Sequence, residues 1–157
     1  MAISSAYPTS HKKENFTKTH NFGNADSSPI GGDTFKLALF KATVTGTYGA
    51  ATTNYSDMTG NSDETTDTNS PQGYSTGGGT LTNNGATTNS TSGIVDFADI
   101  TFTTCTLSSD GALIYNSTAS NAAVGVYSFS STKSCSAGNF AITMPAAAAG
   151  TAVLEIA

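Results

Sequence analysis

Apolar positions alternate most clearly over residues 34–40. Phe35, Leu37 and Leu39 fall on one face, and Lys36, Ala38 and Phe40 on the other. A period of two predicts a strand there, and KATVTGTY (41–48) either extends it or opens a second. Residues 93–157 repeat the pattern in short runs, at 94–97, 100–107, 112–115, 123–129, 139–144 and 152–156. Gly, Asn, Ser, Asp or Pro punctuates most of the joins. Val95 and Phe97 alternate with Asp96, and Ile100 and Phe102 continue the pattern; Val124 and Val126 oppose Tyr127 and Phe129. The intervening stretch, 49–92, is the least hydrophobic. Within it Asn84-Gly85 is a type I′ turn signal between 80–82 and 86–88, which predicts a weak hairpin. MPAAAAGTA (144–152) has room only for a helical turn between Pro145 and Gly150. Short strands at this spacing predict an all-β chain, an antiparallel β-sandwich or jelly-roll-like barrel. Its expected core is Phe35, Leu37, Leu39, Val95, Phe97, Phe102, Leu113, Tyr115, Val124, Val126, Phe140 and Ile142.

Residues 1–33 follow another pattern. They are polar and hold both histidines, His11 and His20, with half of the lysines. HKKENFTKTHNF reads as a short helix with Ser10 as its N-cap, which puts Phe16 and His20 on one face and Phe22 just beyond. GNADSSPIGGD (23–33) follows as a loop with a Gly-Gly turn. The expected organisation is a polar N-terminal arm with a short helix (1–33) and a single β-domain (34–157), within the size of one domain.

Composition narrows the function. Thr 27, Ser 20, Gly 16 and Asn 12 fill nearly half of the 157 residues, and charged residues make up 11%, against roughly 25% in an average soluble protein. There is no Arg, and the net charge is −5. A nucleic-acid binder that works by phosphate neutralisation is excluded, and an anionic membrane surface is disfavoured. No apolar run approaches a membrane span, and MAISSAYPTSHKKENF lacks the apolar region of a signal peptide.

Residue patterns that carry chemistry are few. The histidines lie nine residues apart, and Cys105 and Cys135 join them only through the fold. A metal needs three or four ligands at constrained distances, so neither a metal nor a cofactor is expected, and the histidines are read as exposed or loosely packed. Two cysteines are too few for a disulfide framework. A bond between Cys105 and Cys135 is open to the geometry, while synthesis in a bacterial cytosol favours free thiols. Asp57, Asp63, Glu64 and Asp67 form the densest acidic cluster, but their spacing is not that of a calcium loop, and a solvated loop is expected. GYSTGGGTL lacks the Lys and the helix of a phosphate cradle. No nucleophile elbow or HExxH is present, and no enzyme is expected.

The segments GDTFKLALF (32–40), GYSTGGGTL (73–81), IVDFADITF (94–102), GALIYN (111–116), AVGVYSF (123–129) and GNFAITMPAAAAGTAVLEIA (138–157) occur in this order. Together they resemble a family of small structural proteins encoded in the virion gene clusters of tailed bacteriophages. The resemblance runs from residue 32 onward, and HKKENFTKTHNF is similar to that family's short N-terminal helix, which ends G-x-H-x-F. The chain departs from the pattern at Phe102, where Trp is common, at Asp110, where an Arg is typical, and in its longer loops at 20–33 and 57–70. The resemblance implies a capsid decoration (cement) protein. It would be made in the cytoplasm of the bacterial host and bound to the virion exterior. Its partners would be the major capsid protein and further copies of itself, as a trimer or other symmetric homo-oligomer, with no nucleic acid or membrane. His11, Lys12, Lys13, Phe16, His20 and Phe22 are then the expected capsid-contact residues of the arm. The alternatives are a minor tail or neck protein, and a carbohydrate-binding virion module that stacks sugars on Tyr48, Tyr55 and Tyr74. The last strand, 152–156, is open to pairing in trans, with a cis edge as the default.

Overall fold

A computed structural model describes residues 2–23, 32–70 and 73–156. Over the described residues the chain is all-β with two short helices. In order they are β1 (Ala2–Ile3), α1 (Thr9–Phe16), β2 (Phe35–Lys41), β3 (Thr47–Tyr48), α2 (Tyr55–Gly60), β4 (Gly79–Thr80), β5 (Asn83–Asn89), β6 (Ser92–Phe97), β7 (Ile100–Asn116), β8 (Ala122–Ile142) and β9 (Leu154–Ile156). An antiparallel sheet of order β4-β2-β7-β8 forms the centre, a second antiparallel sheet has order β5-β6-β9, and β1 and β3 make a small parallel pair. Among the described residues no helix is long and apolar enough to cross a membrane.

The alternation in β2 sorts the interior into two cores. Phe35, Leu37 and Leu39 enter a cluster with Phe102, Ile114, Val124 and Phe140, joined by Phe97 and Leu154 of the three-stranded sheet. Ala38 and Phe40 face the other way, onto Val44, Tyr48 and Met58. The central sheet is therefore apolar on both faces, which explains why β2 is buried over nearly its whole length. Ten of the twelve expected core residues are buried, while Val95 and Ile142 are half-buried against the first cluster.

β7 and β8 replace what reads as four separate strands. SSDG (108–111) has turn composition, yet the chain runs through it as a bulge. Ser109 is buried, and its hydroxyl bonds Gly111 O at 2.9 Å and Gly111 N at 3.3 Å, while the pairing shifts register between Ser109 and Gly111. STKSCSAGN (131–139) likewise lies inside β8, with Ser130 and Ala137 in left-handed conformation absorbing the irregularity. Asn84-Gly85 is no turn either. Gly85 is a left-handed residue within β5 (φ 93°) at a register shift opposite Asp96, and the reversal comes at Ser90–Thr91. The hairpin is displaced because Leu81 is buried in the core, with its N–H on Phe35 O. β9 is shorter than the expected 152–156 and pairs in cis with β6.

The described part of the N-terminal stretch is packed against the β-domain. Ser4 N donates to Tyr48 O, Ala6 exchanges both backbone bonds with Val126 on the outer edge of β8, and Thr9 N donates to Ala50 O. Ile3 packs on the second core, and Tyr7 and Phe22 on the first. Helix α1 starts at Thr9, not after Ser10. Pro8 precedes it without a side-chain cap, and the buried Ser10 hydroxyl has no hydrogen-bond partner among the described residues. The helix ends at Phe16, and Lys18 reverses the chain (φ 57°), so Phe16 and His20 do not share a face. Most of the Gly-Gly loop lies outside the described residues.

Candidate functional site

Three polar groupings merit comparison: the acidic stretch, the tyrosines and the N-terminal histidines. The acidic stretch is not a solvated loop. Asp57 closes a capping box with Asn54 at the start of α2, which also lets it accept from Thr53 N at 2.7 Å. Asp63 is fully buried. It accepts from Thr45 N, Gly46 N and the Tyr48 hydroxyl (2.6 Å), and it pairs with Lys41 at 2.9 Å. Burial alone would raise its pKa, but those bonds outweigh it and hold the carboxyl well below the usual carboxylate range. Asp67, also buried, accepts from Asn69 N, Tyr74 N and Thr106 N, and these again overcome desolvation and lower its pKa. Glu64 accepts from the Tyr55 and Tyr74 hydroxyls and from Gly77 N. Each acid thus fixes an irregular piece of backbone, and none is left to converge on a calcium ion.

The tyrosines are spent in the same network. Tyr48 and Tyr74 are buried, and Tyr55 stacks on Tyr115 with ring centroids 4.6 Å apart. Burial, then the Asp63 hydrogen bond, pushes the Tyr48 hydroxyl up to about 12. Burial and the nearby Glu64 carboxylate do the same for Tyr115. Tyr48, Tyr55 and Tyr74 therefore offer no exposed platform for a sugar, which removes the sequence basis for a carbohydrate module.

Cys105 and Cys135 form a disulfide, with Cα atoms 6.3 Å apart. The sequence left this bond open to the geometry, with synthesis in a bacterial cytosol favouring free thiols, and placed Cys135 outside the expected strands. Cys135 lies instead within β8, opposite Leu107, where strand pairing brings it to Cys105.

The histidines are the main departure. His11 and His20 are both buried, at 3% and 8% exposure, where exposed or loosely packed rings were expected. Helix α1 puts His11 and Glu14 on one face, three residues apart. The reversal at Lys18, closed by Thr17 and Thr19 N–H on Glu14 O, returns His20 to that face. The two rings lie 4.8 Å apart, and Phe22 packs against both before stacking on Phe35. His20 Nε2 lies 2.9 Å from Glu14 Oε2, and His20 Nδ1 lies 3.0 Å from Asn116 Nδ2. Asn116 Oδ1 accepts from Thr118 N and Ala119 N, which fixes Nδ2 as the group facing the ring. His20 Nδ1 is then an acceptor, and its proton sits on Nε2 toward Glu14. Asn116 Nδ2 also donates to Asp33, tying the segment to the end of β7. His11 Nε2 contacts Asn15 at 3.1 Å, and its buried Nδ1 has no partner among the described residues. Burial, then the neighbouring His20, lowers the His11 pKa to about 4, so the ring is neutral at pH 7.

The six expected contact residues thus divide. His11 and His20 are interior, Phe22 is a half-buried link to the core, and Lys12, Lys13 and Phe16 face solvent. Glu14 and Asn116 are the partners that the sequence reading missed. The signal for Glu14 was its spacing of three from His11 on the helix already inferred. No sequence spacing gives Asn116.

Comparison of the chain with protein-family models, curated proteins and solved structures gives no match.

Proposed function

We propose that the chain is a structural protein of a tailed-bacteriophage virion, a decoration protein that binds the outside of the capsid shell and stabilises it. The sequence resemblance from residue 32 onward supports this reading. The observation that carries it structurally is the outer face of α1. Phe16 is 90% exposed there, one turn from the exposed Lys12 and Lys13. A large aromatic held in water beside two cations on a short helix is the composition of an interface anchor, in which one ring fills a pocket and the charges form its rim.

The helix is held rigidly by the strap along β8 and by the His20–Asn116 link, so little ordering is needed on binding. A shell conformation that alone offers the receiving pocket is stabilised by linkage, since the ligand favours the state it binds best. The major capsid protein is the intended partner, and symmetry would repeat the contact through a trimer or another homo-oligomer. Contact comes from an exposed face of a docked helix, because removing residues 1–23 would also strip Ile3, Tyr7 and Phe22 from the cores.

The test is the number of copies per purified virion, counted by quantitative mass spectrometry against the major capsid protein. Hundreds of copies in simple ratio to the capsid protein are expected. A count near six or twelve would move the protein to the tail or neck and overturn the decoration role.

A further inference from the structure

We propose that His11, Glu14 and His20 form a binding site for a divalent transition-metal ion of the zinc type. The inference is independent of the virion reading. One ligand atom from each residue lies within 4.8 Å of the others. Two imidazoles and a carboxylate are a donor set that suits zinc, and bonds of ~2.0–2.2 Å need those atoms drawn in by about 1 Å. Glu14 Oε2 already lies 2.9 Å from His20 Nε2, so the distance to be closed is the one to His11, and the Glu14 side chain, with 23% of its surface in solvent, is free to follow.

The second observation is His11 itself. It is buried, its Nδ1 has no hydrogen-bond partner among the described residues, and it lies beside His20. A buried polar atom without a partner is costly, and a metal bond at Nδ1 removes that cost. The proton of His11 then resides on Nε2, where the Asn15 amide, turned over, accepts it. At His20 the metal takes Nε2 in place of the bond to Glu14, and the ring proton moves to Nδ1. Asn116 accepts that proton only by turning its amide oxygen to the ring, which gives up the Thr118 and Ala119 N–H bonds and the bond to Asp33, so the ion must offset all three. Both histidines thus have an outer partner that can orient them as ligands. A bound ion would cross-link α1 to the returning segment at His20 and, through Asn116, to β7.

Titration of the untagged full chain with zinc chloride, followed by calorimetry, tests the site. One ion per chain is expected, with an X-ray absorption spectrum showing two imidazole ligands. Glu14→Gln keeps an acceptor for His20 and should fold as the parent does by circular dichroism. It should weaken zinc at least about tenfold, the lower bound set by what loss of an outer partner alone costs. His11→Gln should weaken it at least as much. No zinc binding below millimolar concentration would overturn the proposal. So would binding that both variants leave unchanged, or a bound ion with fewer than two imidazoles.

Discussion

The acidic stretch and the histidine stretch look alike in the sequence, since both are polar, short of apolar residues and naturally read as surface. Both are instead drawn inward, and they differ in how far their polar atoms are satisfied. Asp63 and Asp67 each receive at least three donors, mostly backbone N–H groups of turns that have no ladder to join. Around His11 the count falls short, among the described residues, by the buried His11 Nδ1 and the neighbouring Ser10 hydroxyl. The first region is complete as a piece of architecture, because the carboxylates stand in for missing strand partners. The second has donor geometry left over, which is what a ligand needs.

Asp63→Asn should have the largest effect on this contrast. The substitution leaves Lys41 without its counter-ion and turns an amide N–H group toward Thr45 N or Gly46 N. A loss of about 3 kcal/mol is expected, at the low end for a broken buried pair because Lys41 is partly solvated. Urea denaturation measures it, and a loss below ~1 kcal/mol would make the acidic network ornamental.

Acid should produce the same failure without a mutation. Asp63 and Asp67 both have folded-state pKa values below those of the unfolded chain. Their contribution is full above the ordinary carboxylate pKa, near 4, and is lost as pH falls toward the folded values. Thermal unfolding should therefore be nearly flat from pH 7 to 5 and fall steeply below pH 4. In Asp63→Asn the acid slope should be shallower, since one of the depressed groups is gone. An equal slope in both proteins would assign the acid transition to other groups.

Reduction of Cys105–Cys135 probes a third region, the irregular middle of the β7–β8 hairpin. The two cysteines are 30 residues apart, and chain-entropy arguments give about 3–4 kcal/mol for a loop of that size. A smaller loss, about 2 kcal/mol, is expected here because strand pairing continues on both sides of the bond. Cys105→Ser with Cys135→Ser, compared with the parent under oxidising and reducing conditions, separates the bond from the side chains.

These regions also mark what the sequence made legible. β2 was readable because its alternation is intact and both faces carry large residues. Fragments of β7 and β8 were readable for the same reason, but their continuity was not. Ser108–Gly111 and the run around Cys135 have turn composition, and only the partner strand keeps them extended as bulges. Asn84-Gly85 misled for the mirror reason, since a left-handed glycine serves a bulge as readily as a turn. The burial of Asp63 and His20 depends on donors 15 to 96 residues away, Tyr48 for one and Asn116 for the other, and no local pattern encodes them. The His11–Glu14 half of the histidine cluster was local and could be read; the return of His20 depended on a left-handed Lys18 that nothing in its neighbours announces.

The smallest effect on stability, and the most selective, belongs to Phe16. Its ring is solvated in the isolated chain, so Phe16→Ala should change the free energy of unfolding by no more than about 0.5 kcal/mol. Phe22→Ala, four residues past the last turn of the same helix's reversal, removes a ring stacked 4.7 Å from Phe35 and should cost about 2 kcal/mol. The two rings therefore separate folding from contact. If α1 anchors the chain to a capsid, Phe16→Ala should release the protein from virions in a co-sedimentation assay, with a loss of about 2 kcal/mol or more of binding, while its melting temperature stays at the parent's. Lys12→Ala and Lys13→Ala should weaken the same binding less and make it less sensitive to salt, as rim charges do. If Phe16→Ala sediments as the parent does, the exposed ring is not the anchor, and the contact must be sought on the polar outer half of β8.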